Sequence, residues 1–174
     1  MNTTIVNLWG GPGSGKSTTA AGVFAAMKLR GISCELVTEY VKTWAWRGDT
    51  IREFDDVYLT AKQLRRESAL YGKVEYVITD SPISLGALYE RLYKPGSTCM
   101  ADLCAHLRAR QLVAGLRVIN LLVDRTKTYV AAGRWETEEQ ARRVDTFARE
   151  LLKSIDTDWQ VVWGVTDVLH AVGL

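Results

Sequence analysis

Histidine and cysteine are scarce in this chain: two histidines and three cysteines in 174 residues. His106 and His170 have no nearby acid or nucleophile to form a catalytic pair, so both read as structural. Cys34, Cys99 and Cys104 are odd in number and lack metal-site spacing, which argues against a zinc centre and a disulfide framework. They read as reduced thiols of a cytoplasmic protein. No stretch reaches the length of apolar residues that a membrane span requires. Met1-Asn2-Thr3-Thr4 carries no basic region, so no secretory signal is expected. Neither sign of charge dominates: 22 basic and 20 acidic residues leave a net charge of +2, too little to argue for nucleic-acid binding by itself.

What is present is an ordinary globular composition, 47% hydrophobic and 24% charged, with room for one well-buried domain over residues 1–174. Five apolar runs, at 3–9, 33–38, 74–79, 117–123 and 159–163, alternate with helical patterns. That alternation predicts an α/β fold: a five-stranded parallel sheet flanked by helices in three layers. The first, third and fourth runs are the most apolar, as suits central strands. Between 50 and 71, Ile51, Phe54, Val57, Tyr58, Ala61 and Leu64 form one helical stripe. Between 138 and 155, Ala141, Val144, Ala148, Leu151, Leu152 and Ile155 form another, opened by a capping box of Thr137 and Gln140. Helices are also expected over 83–94 and 98–115, split by Pro95-Gly96, and over 165–172.

The most specific feature is Gly10-Gly11-Pro12-Gly13-Ser14-Gly15-Lys16-Ser17-Thr18, placed between the first strand and the first helix. Strand, G-x-x-x-x-G-K-S and helix make a Walker A phosphate-binding loop. Its glycines let backbone N–H groups turn inward, and the helix start adds unpaired N–H groups and a positive dipole end. Gly11, Pro12, Gly13, Ser14, Gly15, Lys16, Ser17 and Thr18 are therefore the candidate ATP-binding residues. Lys16 is expected to reach the β- and γ-phosphates, and Ser17 to hold Mg²⁺.

Ligands of open α/β sheets sit beyond the carboxyl ends of the strands. Asp80 ends the third run, in the position of a carboxylate that orients Mg²⁺; as an alternative, Asp80 or Ser81 caps the following helix. Glu39 ends the second run, where a carboxylate would face an acceptor hydroxyl and take its proton. The sequence leaves open which of the two is the base. Residues 124–136 are too long and polar for a tight turn and read as a lid, with Arg125 and Arg134 as phosphate clamps. Arg142 and Arg143 read as solvated, and so does the mixed-charge surface around Arg47, Arg52, Arg65 and Arg66. Tyr40, Trp44 and Trp46 are expected to pack in the core rather than stack on a base.

Four segments together resemble the P-loop kinases: Asn7 to Thr19, Val37 to Lys42, Ile78 to Pro82, and Gly133-Arg134 followed by Thr137-Glu138-Glu139. The combination is most similar to phage-encoded AAA or ribosylnicotinamide-kinase-like ATP-binding proteins, a group that includes phage kinases of hydroxymethyluracil in DNA. The resemblance implies a P-loop kinase fold in which the strand ending at Asp80 lies beside the strand ending at Gly10. It also implies ATP with Mg²⁺, a nucleoside, nucleotide or DNA acceptor, and Glu39 as general base. Asp80-Ser81-Pro82 departs from the Asp-Arg pair of typical nucleoside-monophosphate kinases and weighs against that activity. The competing expectation is an ATPase or nucleotide-dependent switch acting through a protein partner.

Overall fold

The computed structural model describes residues 2–174. The first strand, β1 (Thr4–Trp9), leads through the glycine-rich loop into α1 (Lys16–Leu29). Next come β2 (Cys34–Val37), the short α2 (Lys42–Arg47), α3 (Asp55–Ser68) and β3 (Tyr76–Thr79). Two helices follow, α4 (Leu85–Tyr93) and α5 (Cys99–Val113), and then β4 (Arg117–Val123). The chain ends with α6 (Glu138–Ile155), β5 (Gln160–Val162) and α7 (Val165–Ala171). All five strands are parallel, in the order β2-β3-β1-β4-β5. β3 lies beside β1, as the resemblance implied.

The sheet is covered on both faces because its central strands are apolar on both. Val6, Leu8, Ile78 and Leu121 pack with Val23 and Met27 of α1 and with Val168 and Leu169 of α7. On the other face Trp9 and Leu122 meet Leu85 and Leu88 of α4 and Val144, Ala148 and Leu152 of α6. Complete burial of such a side chain stabilises the fold by about 1.5–3 kcal/mol relative to leaving it in water. The α6 stripe is buried as its periodicity predicts, and the capping box forms in both directions between Thr137 and Gln140. The three cysteines are free thiols; Cys34 and Cys104 are buried, which raises their pKa and blunts their reactivity.

Two expectations fail around α3. The helix starts at Asp55, not near residue 50, and its buried side carries Thr60, Gln63 and Glu67. The apolar stripe instead faces outward: Ile51, Phe54, Val57 and Tyr58 are all exposed. Glu67 can lie inside because Gln111 on α5 and Tyr71 both donate to its carboxyl. The side-chain hydrogen bonds, rather than the hydrophobic pattern, decide which face turns in. The second failure is the aromatic cluster: α2 buries none of its residues, and Trp46 is 65% exposed.

Candidate active site

The carboxyl ends of β1, β2, β3 and β4 open onto one cleft of about 1110 Å³. At its base the glycine-rich loop runs into α1, whose N-terminus has no side-chain cap and no acidic residue in its first turn. Contrast α6, where a capping box and two glutamates satisfy the same groups. An uncapped helix start with a glycine loop before it is a ready anion site. Lys16 closes the loop on itself, donating from Nζ to the carbonyls of Gly10 at 2.7 Å and Gly11 at 3.0 Å. Burial lowers the Lys16 pKa, and the nearby carboxylates of Glu39, Asp80 and Asp145 oppose that shift.

The loop is also gripped from outside. The Gly11 N–H donates to Asp145 Oδ1 at 2.5 Å, and Asp145 Oδ2 accepts from Arg125 Nε at 2.8 Å. Arg125 in turn donates to the Pro12 carbonyl at 2.9 Å, and its side chain is only 7% exposed. Glycine is required at position 11 for a second reason besides phosphate approach: a Cβ there would sit 2.2 Å from the Ala141 carbonyl of α6. Arg134 lies over Tyr129, with its guanidinium carbon 5.3 Å from the ring centre. Both guanidinium groups lie against Gly13, where a Cβ would be 3.3 Å from Arg125 Nη1 and 3.5 Å from Arg134 Cζ. One nitrogen of each arginine, and the Ser14 hydroxyl, are buried without a partner. Three orphaned donors beside a phosphate loop fit a polyanion, because buried donors of this kind are costly unless paired.

Across from Lys16 lie the two strand-end acids. Asp80 is buried, and its Oδ1 accepts the backbone N–H of Glu39 at 2.9 Å. Asp80 and Ser81 do not cap α4, which begins at Leu85 with Ser84 at its N-cap position. Burial raises the Glu39 pKa; Lys16 pulls it down, while Asp80 and Glu136 push it up. The chemistry of the donors fits Mg²⁺, which takes hard oxygens and binds through one or two protein groups plus phosphate. Ser17, exposed in the first turn of α1, and Asp80 supply such oxygens. No cluster of three or more His, Cys, Asp or Glu able to hold a metal alone occurs among the described residues, so an ion here would need phosphate ligands.

Residues 124–136 form no helix or strand and lie along the cleft. Their far end touches the opposite wall of the cleft in two places. The Trp46 ring packs onto Gly133, where a Cβ would be 2.6 Å away, and Gly133 has φ +70, which favours glycine. Trp135 donates from Nε1 to the Asp49 carbonyl at 3.2 Å. Arg142 pairs with Glu138 one turn away and is exposed, as expected. Two acids, Asp145 behind the loop and Glu136 in the cleft, escaped the sequence reading. Asp145 stands one turn beyond Ala141 at the edge of the buried α6 stripe, and an acid in that register was a usable signal. Glu136 left none: it lies in irregular chain before the helix cap, yet it is buried.

The all-parallel sheet, the glycine-rich loop at the end of β1 and the acid at the end of β3 make up a P-loop kinase-type fold. The chain belongs to the AAA domain family, whose sequence profile matches residues 5–168. Its fold is similar to that of thymidylate kinase from Ehrlichia chaffeensis, with a TM-score of 0.62 over 99% of this chain and 97% of that one. Identity is 14%, a level at which the likeness speaks to the fold. No curated protein sequence matches the chain. No helix is long and apolar enough to cross a membrane among the described residues.

Proposed function

We propose that this chain is an ATP- and Mg²⁺-dependent kinase that transfers the γ-phosphate to a hydroxyl of a nucleoside, nucleotide or nucleic acid. The observation that carries the reading is the placement of Glu39 across the cleft from Lys16, held through its backbone N–H by Asp80. Residues 1–174 act as one kinase domain, with 124–136 as its lid. The backbone N–H groups of Gly13 and of Gly15 to Thr18 cradle the triphosphate, and Lys16 leaves its loop carbonyls for the β- and γ-phosphates. Ser17 and Asp80 would hold Mg²⁺, which when bound would neutralise charge on the phosphates. Arg125 and Arg134 turn their unpartnered nitrogens to phosphate oxygens.

In the transfer the acceptor hydroxyl oxygen bonds to the γ-phosphorus as the bond to the β–γ bridging oxygen breaks. The hydroxyl proton passes to the Glu39 carboxylate, and ADP leaves with the bridging oxygen. Glu39 serves better as base than Asp80, because Asp80 already accepts a backbone N–H and lies deeper.

The test is a screen of labelled γ-phosphate transfer to nucleosides, nucleotides, oligonucleotides and DNA containing 5-hydroxymethyluracil. Lys16→Ala and Glu39→Ala should both abolish transfer, and only the first should strongly weaken ATP binding. Label released solely as free phosphate would instead favour an ATPase or switch. Normal turnover in Glu39→Ala would remove the base assignment.

A further inference from the structure

Glu136 is the least expected carboxylate of the cleft. It is 8% exposed and lines the cavity. One of its oxygens accepts from the Tyr93 hydroxyl at 3.3 Å, and its backbone carbonyl accepts from Tyr129. No hydrogen bond reaches its second carboxyl oxygen among the described residues. A buried carboxylate held at its backbone and at one oxygen, with the other open to a cavity, is an acceptor waiting for a donor. Glu136 raises the pKa of Glu39, Tyr89 and Tyr93, so all four groups share one space.

The charge of that wall is one-sided. Arg125, buried behind the loop, and Arg134, which lines the cavity, lie against Gly13 on the donor side. Opposite them, Lys94 is engaged by Asp56 at 2.9 Å and by the Glu53 carbonyl. Lys42 and Arg52 stand exposed at the mouth. Lys127 is exposed there too, Lys16 is taken up by the loop carbonyls, and Glu90 by Ser97 and the Met100 and Ala101 amides. Glu39 and Glu136 are thus the carboxylates left open inside, with Lys42 acting on Glu39 from the mouth. A phosphate ester placed there would face two carboxylates in a desolvated site, where repulsion is strong. A hydroxyl would give each of them a hydrogen bond.

We propose that Glu136 holds one hydroxyl of the acceptor opposite Glu39, and that the acceptor is an uncharged molecule with neighbouring hydroxyls, not a phosphate ester or a nucleic-acid strand. The proposal rests on the phosphotransferase reading above and narrows it. Glu39 takes the proton of the attacking hydroxyl, and Glu136 accepts a hydrogen bond from the hydroxyl beside it. Trp135, the neighbour of Glu136, donates to the Asp49 carbonyl and so ties this end of the segment to the opposite wall, which holds the second carboxylate in place.

The experiment measures ATP-dependent transfer by the full chain to ribonucleosides, to their 5′-monophosphates and to a single-stranded oligonucleotide with a free 5′-hydroxyl. A ribonucleoside should exceed its monophosphate by about ten-fold or more in kcat/KM. Glu136→Ala should raise the nucleoside KM about ten-fold while leaving the ATP KM unchanged. Glu136→Gln keeps the shape, removes the charge and should narrow the discrimination against the monophosphate. Tyr93→Phe should raise the nucleoside KM by a smaller factor. Preference for the monophosphate or the oligonucleotide overturns this proposal and leaves the kinase reading standing. So does an unchanged acceptor KM and unchanged discrimination in the Glu136 variants. Absence of transfer to every acceptor overturns both.

Discussion

Two buried carboxyls set the pH behaviour at the scale of single residues. Glu39 is pushed above the ordinary carboxylate range by burial, with Lys16 pulling against the shift. A general base works only when deprotonated, so activity should fall as pH drops through that raised pKa. The acid limb of kcat/KM should therefore lie above the ordinary value of 4.5. A pH–rate profile that stays flat to pH 4.5 would remove Glu39 from the base role. Glu67 makes the matching prediction for stability. Burial raises its pKa from 4.5 to about 7, against the hydrogen bonds from Tyr71 and Gln111. The folded state then binds this proton more tightly than the unfolded chain, so the contribution of Glu67 to stability is fully present below 4.5 and is lost as pH rises through about 7. The loss is on the order of 3 kcal/mol, and urea midpoints at acid and alkaline pH measure it. Glu67→Gln should flatten that decline and be the more stable form at alkaline pH. Neither carboxyl announces its pKa in the sequence, because desolvation depends on which face of α3 turns inward and on what packs over β2.

The same division appears at the scale of elements. α6 was legible because its pattern carries its own instructions: an N-cap pair and an apolar stripe whose burial pays no polar penalty. The inward face of α3 was not, since Gln63 and Glu67 are buried there against hydrogen-bond partners distant in the chain. Trp46, left unburied on α2, lines the cleft wall instead. Trp46 is placed by Gly133, far along the sequence, and only a glycine there permits the contact. Gly133→Ala should drive the Trp46 ring away and loosen the 124–136 segment. The expected result is a raised acceptor KM and faster proteolysis within that segment, with the thermal midpoint little changed. Asp145 has the corresponding part on the donor side, where it ties Gly11 and Arg125 together. Asp145→Ala should release the loop and raise the ATP KM. An unchanged ATP KM would mean that the loop holds its shape without α6.

For the molecule as a whole, the parallel sheet follows from strand–helix alternation, and the β2-β3-β1-β4-β5 order puts the glycine-rich loop at the middle of its carboxyl edge. That placement explains why four segments far apart in the chain meet at one cleft. Both proposals act at this scale, since Glu39, Asp80, Lys16 and Glu136 come from separate connections between strands. The sequence by itself determined the apolar strands, the phosphate loop and the acids at the strand ends. Each of these is written in neighbouring residues: a periodicity, a glycine spacing, a charge after an apolar run. The tertiary structure alone decided which acid lies deeper, that Arg125 is clamped by Asp145, that Trp46 meets Gly133, and that Glu136 turns into the cleft. These depend on long-range packing and desolvation, which a local pattern does not encode.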